Sequence, residues 1–124
     1  MATIVDSLRR AAPGRVVLVD AGDLLQGNPM TYVAARVDSL APHPVVAAMN
    51  TMRYDAAALG NHEFNYGLDI LDRATARAKF PYLAANAERL DGGKRYPART
   101  MVTRGKVKVA IIGVTTAAVP EWEK

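Results

Sequence analysis

Cysteine is absent from the 124-residue sequence, and only two histidines are present, His43 and His62. The absence of cysteine excludes disulfides and thiolate metal ligands, and it fits either redox environment. Aromatic residues make up only 6% of the chain and are not interleaved with its basic residues. A surface for a nucleic-acid polymer is therefore not indicated, and we interpret the net charge of +4 as an ordinary basic surface.

Long apolar segments are also absent. No stretch approaches the ~20 apolar residues that a membrane-spanning helix needs. The longest candidate, Val107–Val119, is interrupted by Lys108 and Gly113 and is followed by Pro120. The first residues lack the basic start and apolar core of a signal peptide. We expect neither a membrane segment nor an export signal within this chain.

Helical and strand-like patterns alternate along the sequence. The spacing of apolar residues predicts helices over Thr3–Ala12, Met30–Leu40, Pro44–Met52 and Leu68–Ala78. Apolar runs between them predict strands over Val16–Val19, Tyr54–Leu59 and Phe80–Ala84, and a hairpin follows over Ala98–Thr103 and Lys106–Val114. Helix is the alternative for Tyr54–Leu59 because of its alanines. Val16–Val19 has no alternation, which predicts a strand buried on both faces. This order of elements predicts a layered α/β fold with a largely parallel sheet.

Two loops follow the first two predicted strands and carry the most reactive side chains. Gly22 and Asp23 follow the first strand, and Gly60, Asn61 and His62 follow the second. In open α/β sheets, ligands bind outside the carboxyl ends of the strands. We therefore expect Asp23, Asn61 and His62 to converge, with the glycines permitting sharp turns and close approach. Turn or capping roles are the alternative for these polar residues.

The residue types suit the hydrolysis of phosphate esters. Two divalent metal ions roughly 3.5–4 Å apart can activate a water and hold the phosphoryl oxygens. A carboxylate such as Asp23 can bridge two ions, and Asn61 offers a neutral oxygen ligand. His62 could give a proton or hydrogen bond to the phosphoryl or leaving-group oxygen.

Residues Gly22–Gly27 (GDLLQG) and Leu59–Gly67 (LGNHEFNYG) resemble two signature blocks of the calcineurin-like metallophosphoesterase superfamily, most closely its nucleotidase branch. The resemblance covers nearly the whole chain. It implies an α-β-β-α sandwich, of which residues 1–124 would form an incomplete half with a mostly parallel sheet and a C-terminal hairpin. It also implies that Asp23 bridges the metals, that Asn61 ligates the second metal, and that His62 assists the transition state without binding metal.

Supporting positions refine this resemblance. Gly22, Gly60 and Asn65 would support the two loops. The 5′-nucleotidase relatives tend to carry aspartate at the position of Asn65, whereas the 2′,3′-cyclic-nucleotide phosphodiesterase/3′-nucleotidase members carry asparagine. The resemblance therefore favours the cyclic-nucleotide members, with the 5′-nucleotidase type as the alternative. No substrate-binding residue is indicated.

Other blocks of the family are missing from residues 1–124. An Asp-x-His block, a lone histidine and a Gly-His-x-His block do not occur, and His43, which precedes Pro44, is interpreted as structural. The C-terminal nucleotide-recognition domain is missing as well. Asp23 and Asn61 alone are fewer than the three or so protein ligands of a catalytic ion. We therefore predict a partial catalytic domain that is inactive in isolation and binds Mn²⁺, Mg²⁺ or Zn²⁺ weakly or not at all.

Two further hypotheses stay open from the sequence. The chain could be a non-catalytic, truncated module that acts as a binding surface, or a partner chain could supply the absent ligands. Exposed apolar surface would also favour self-association. For the parent protein, the resemblance implies a small nucleotide substrate and a periplasmic or exported location. Asp20 is expected to structure its loop, and Glu63 to support its loop or lie near the surface.

Overall fold

Helices and short strands follow one another in the computed structural model, which describes residues 1–38, 42–89 and 91–122. The helices of these residues are α1 (Ala2–Ala11), α2 (Pro29–Arg36), α3 (Pro44–Met52), α4 (Leu68–Thr75) and α5 (Val119–Trp122), with a 3-10 turn at Asn61–Glu63. The strands are β1 (Val19–Asp20), β2 (Ala56–Ala58), β3 (Tyr82–Leu83), β4 (Arg99–Arg104) and β5 (Val107–Ile112).

The helix boundaries follow local chemistry. The side chain of Asn28 accepts a hydrogen bond from the backbone N–H of Thr31 and so caps α2, which has a proline in its first turn. Helix α3 also begins on a proline, and it ends where Arg53 takes a left-handed φ of 55°. The four predicted helices are confirmed. Helix α2 ends at Arg36, before the predicted end at Leu40, which lies outside the described residues.

Strands β1, β2 and β3 form a parallel sheet in that order. Val19 pairs with Ala56, and Ala58 pairs with Leu83. The α/β class and the parallel sheet are thus confirmed. The predicted strand over Val16–Val19 was wrong in its extent and its burial, since pairing is confined to Val19–Asp20 and Val19 is 49% exposed. The reason is tertiary: a β-branched run is buried on both faces only where other elements cover both faces of the sheet, and Val19 is not covered in this way.

Strands β4 and β5 form the predicted antiparallel hairpin, paired from Arg99 with Ile112 to Arg104 with Val107. The end of the hairpin away from its turn is joined to the parallel sheet, because the backbone N–H of Ala85 donates to the carbonyl of Gly113 at 2.7 Å. A Cβ at Gly113 would lie 2.4 Å from the carbonyl oxygen of Leu83. The hairpin therefore meets the sheet beside the end of β3.

The apolar core lies where α3 and α4 cover the parallel sheet. Its buried members are Leu25, Val46, Met49, Tyr54, Ala57, Leu59, Leu71, Ala74, Phe80, Tyr82, Ala84 and Tyr96. Leu25 and Leu59 belong to this core and also adjoin the two polar loops, so the core anchors both loops. Among the described residues, no helix is long and apolar enough to cross a membrane.

Candidate active site

The first loop turns sharply at Gly22 and Asp23. Both residues have a positive φ, 97° at Gly22 and 65° at Asp23. Aspartate tolerates this left-handed region better than most side chains do. The Asp20 carboxylate accepts a hydrogen bond from the N–H of Gly22 at 2.8 Å, which confirms the expected role of Asp20 in structuring the loop.

The two loops touch backbone to backbone at Gly22 and Gly60. A Cβ at Gly22 would lie 2.2 Å from the Gly60 nitrogen, and a Cβ at Gly60 would lie 2.1 Å from Asp23 Oδ1. Real Cβ atoms do not approach other heavy atoms this closely, so neither position has room for a side chain. Glycine at both positions is therefore what permits the loops to meet at the carboxyl ends of β1 and β2.

A buried carboxylate, Glu63, holds the same two loops together. One of its oxygens, Oε2, accepts the N–H groups of Asp23 at 2.6 Å and Gly60 at 2.7 Å. The other, Oε1, accepts those of Leu24 at 2.7 Å and Leu25 at 3.1 Å. Glu63 is only 2% exposed. The expected loop-supporting role of Glu63 is confirmed, and the alternative of a place near the surface is wrong.

Asp23 and His62 are joined directly. Oδ1 of Asp23 accepts the backbone N–H of His62 at 3.0 Å. The His62 ring lies 2.6 Å from Asn65, measured from Nδ1 to Oδ1, so Asn65 orients the imidazole. With Asn65 Oδ1 as the acceptor, Nδ1 carries the hydrogen. Asp23 and His62 are exposed and Asn61 is half-buried, so this edge of the sheet faces solvent.

The donor atoms at this edge suit a divalent ion only in part. A carboxylate from Asp23 and an amide oxygen from Asn61 are hard ligands of the kind that Mg²⁺ and Mn²⁺ prefer. Among residues 1–38, 42–89 and 91–122, however, no group of three or more His, Cys, Asp or Glu side chains could hold a metal ion. Asp23 and Asn61 thus present two oxygen donors at this edge, and the described residues form no three-ligand cluster around them.

His43 is buried, with 5% of its surface exposed. Neither ring nitrogen has a hydrogen-bond partner of normal geometry. Burial lowers the pKa of His43, an effect that the nearby Leu25 backbone opposes. This burial supports the interpretation of His43 as a structural residue at the start of α3.

Tyr66, in the second loop, contacts helix α2, which follows the first loop. Its ring makes an edge-on contact with Tyr32 at 6.5 Å between centroids, and the Arg36 guanidinium lies 5.4 Å from its centroid. Both partners belong to α2. These contacts give Tyr66 a packing role between the second loop and α2.

The contacts that sequence patterns could not supply are those between residues about 40 positions apart. Glu63 reaches Asp23 and Leu24 across 40 and 39 positions. No periodicity encodes such a contact. The sequence feature that could have indicated this contact is the position of Glu63, a carboxylate immediately after Asn61 and His62 with no predicted catalytic or metal-binding role.

Comparison with known proteins identifies the class to which this geometry belongs. A solved structure of the calcineurin-like phosphoesterase YfkN from Bacillus subtilis superposes with a TM-score of 0.86 at 37% identity, over 98% of this chain and 40% of that one. By sequence and by fold, the chain belongs to the calcineurin-like phosphoesterases. No family model matches the chain.

The curated relatives are, by their names, enzymes that act on nucleotides. The trifunctional nucleotide phosphoesterase YfkN of Bacillus subtilis is 37% identical over 99% of this chain. A 2′,3′-cyclic-nucleotide 2′-phosphodiesterase/3′-nucleotidase of Yersinia enterocolitica is 47% identical over 75% of this chain. The chain spans 9% of the first relative and 14% of the second, so it corresponds to a small segment of each.

Proposed function

We propose that this chain contributes one part of the active site of a two-metal hydrolase that acts on nucleotide phosphate esters. The observation that carries the proposal is the bond between the two loops, in which Asp23 Oδ1 accepts the N–H of His62. This bond fixes a carboxylate beside Asn61 and an exposed imidazole. The names of the relatives support a 2′,3′-cyclic-nucleotide phosphodiesterase and 3′-nucleotidase activity for the parent protein.

Each residue has a distinct proposed task. Asp23 and Asn61 present oxygen ligands, and Gly22 and Gly60 let their loops meet. When bound, two divalent ions would activate the attacking water and neutralise charge on the phosphoryl group. Asn65 holds the Nδ1–H of His62, so Nε2 is the ring atom that faces a phosphoryl or leaving-group oxygen, to which it would donate a hydrogen bond or proton when the ring is an imidazolium with both nitrogens protonated.

The remaining metal ligands, in this proposal, come from residues beyond these 124. The isolated chain should then leave bis(p-nitrophenyl) phosphate unhydrolysed in Mn²⁺, with or without EDTA. EDTA-sensitive turnover that disappears in His62→Ala would instead favour ligands supplied by a second copy. By resemblance we also propose a periplasmic or exported location for the parent protein.

A chimeric enzyme gives the positive test. The matching segment of the Yersinia enterocolitica relative is replaced by this chain, and hydrolysis of 2′,3′-cyclic AMP, 3′-AMP and 5′-AMP is measured. We expect the cyclic and 3′ substrates to be hydrolysed, and Asp23→Asn or His62→Ala to lower kcat by about 10²-fold or more. Glu88→Gln, on an exposed side chain, is the matched control. Wild-type rates in Asp23→Asn and His62→Ala chimeras would overturn the proposal.

Preference for 5′-AMP would support the second candidate, a 5′-nucleotidase. That candidate has an observation of its own, since a 5′-nucleotidase of Vibrio vulnificus is 36% identical over 92% of this chain. Asn65 argues against it, because by the resemblance 5′-nucleotidases tend to carry aspartate at this position. An amide can orient His62 but cannot stabilise an imidazolium as that carboxylate would. Asn65→Asp in the chimera should therefore shift the ratio of 5′ to cyclic turnover upward.

A further inference from the structure

Glu63 differs from Asp20 and Asp23, which also lie near the loop edge, in its burial and in the number of backbone N–H groups that its carboxylate binds. It is 2% exposed, and the hydrogen bonds described for it all come from backbone N–H groups. A buried carboxylate requires compensation by several strong donors, and four N–H groups provide it. Glu63 is thus fully engaged and faces no open cleft, which excludes it as a proton donor to a substrate.

The two oxygens of Glu63 have unequal tasks. Oε1 binds Leu24 and Leu25, which both belong to the first loop. Oε2 binds Asp23 of the first loop and Gly60 of the second. Both oxygens therefore join the second loop, to which Glu63 belongs, to the first, and Oε2 alone also binds within its own loop, so that it holds the backbone of Asp23 against the residue that precedes Asn61.

We infer that Glu63 is a positioning residue that sets the place of the Asp23 carboxylate relative to Asn61 and His62. The inference rests on the proposed function for its significance, since Asp23 and Asn61 are the proposed metal ligands. Its geometry does not depend on that function. Glu63 fixes the N–H of Asp23, and the side chain of Asp23 then reaches the N–H of His62.

Glu63→Gln tests the inference, because an amide has one acceptor oxygen where the carboxylate has two. Whichever way the amide turns, its NH₂ group must face one pair of N–H donors. Protection from hydrogen exchange should then fall together for Asp23 and Gly60, or together for Leu24 and Leu25. The amides are grouped by the Glu63 oxygen that they share, not by the loop to which they belong. A general loosening of one loop would therefore not produce this result.

The positioning role has its own spectroscopic signature at His62, which Glu63 does not touch through the bonds described. If Asp23 and Gly60 are the amides that lose protection, the amide ¹⁵N and ¹H chemical shifts of His62 should move toward the values found in the Asp23→Asn variant. Asp23→Asn should change the His62 amide and leave the protection of Leu24 and Leu25 as in wild type. Glu88→Gln, the same chemical change on an exposed side chain, should alter none of these amides.

A measurement on the wild-type chain covers the case in which Glu63→Gln fails to fold. Scalar couplings across hydrogen bonds should connect the Glu63 carboxyl carbon with the amide nitrogens of Asp23, Leu24 and Gly60. Their absence would overturn the inference, as would a folded Glu63→Gln chain in which all four amides and His62 behave as in wild type. These readouts involve no hydrolysis, so they can fail or succeed independently of the chimera's activity.

Discussion

Two carboxylates, Glu63 and Asp72, each bind several donors, but the donors differ in kind. Glu63 lies under the loop edge and accepts backbone N–H groups from two loops. Asp72 lies on α4 with 46% of its side chain exposed, and it meets the guanidinium of Arg95 and the hydroxyl of Tyr96. One carboxylate joins pieces of main chain, whereas the other joins side chains.

The difference shows where this fold is rigid. Backbone donors at Glu63 cannot swing away without moving a loop, and a buried acceptor that loses them leaves unpaired polar groups. The long side chain of Arg95 can exchange its partner for water at small free-energy cost. We therefore expect changes at the loop junction to have large effects and changes at the exposed ion pairs to have small ones.

The largest expected effect is at the glycine contact between the loops. Gly22→Ala combines a left-handed φ of 97° with a clash against the Gly60 nitrogen. Gly60→Ala has an ordinary φ of −84° and so tests the clash alone, here with Asp23. Gly27→Ala has a φ of 119° but open space, so it tests strain alone. We expect Gly22→Ala to lower the free energy of unfolding by about 2–5 kcal/mol.

Urea unfolding of the three variants separates the two contributions. Gly27→Ala should cost about 1–2 kcal/mol from strain, less than Gly22→Ala, and it should leave the His62 amide shift unchanged. Gly60→Ala should displace the Asp23 carboxylate and move that shift. Equal losses in Gly22→Ala and Gly27→Ala would show that the loops do not meet as described.

An intermediate effect is expected where the hairpin meets the parallel sheet. Asp55 accepts the N–H of Leu18 at 2.8 Å and pairs with the guanidinium of Arg104, whose Nε donates to the carbonyl of Val16 at 2.6 Å. The Asp55 side chain is only 15% exposed. Asp55→Asn should therefore cost about 1–3 kcal/mol of unfolding free energy, between the effects at the loop junction and those at the surface.

A double-mutant cycle with Arg104→Gln checks that prediction. Because Asp55 and Arg104 share one partly buried network, their combined loss should be smaller than the sum of the single losses by about 0.5 kcal/mol or more. Additive losses would mean that the hairpin tip is held by other contacts, and that this region resembles the exposed ion pairs rather than the loop junction.

Sequence patterns predicted the elements well and their connections poorly. Helix α3 could be predicted because Pro44 and an apolar stripe mark it locally, and the loop residues Asp23 and His62 could be placed at one sheet edge by the rule for parallel strands. The extent of β1 could not be predicted, because pairing with β2 decides it. The partners of Glu63 in the first loop and the partner of Arg104 at Val16 could not be predicted for the same reason, because they lie 38 to 88 positions away along the chain.

The smallest effect concerns the pH dependence of the exposed carboxylates. The Arg95 guanidinium, with help from Tyr96, lowers the pKa of Asp72 below its ordinary value. A lowered pKa in the folded state gives stability that is present above the unfolded value of about 3.9 and is lost as pH falls through the folded value. The stability difference between wild type and Asp72→Asn should thus be about 1 kcal/mol or less at pH 6, and it should vanish in acid.

Glu88 provides the limiting case for this prediction. The Lys94 ammonium also lowers the pKa of Glu88, but 58% of the Glu88 side chain and 48% of the Lys94 side chain are exposed. Water and salt screen such a pair, so Glu88→Gln should leave the unfolding midpoint unchanged between pH 3 and pH 7. Thermal unfolding across that range, at low and high salt, measures both variants. A larger loss in Glu88→Gln than in Asp72→Asn would contradict the ordering, because exposure would then not govern what a carboxylate contributes to this fold.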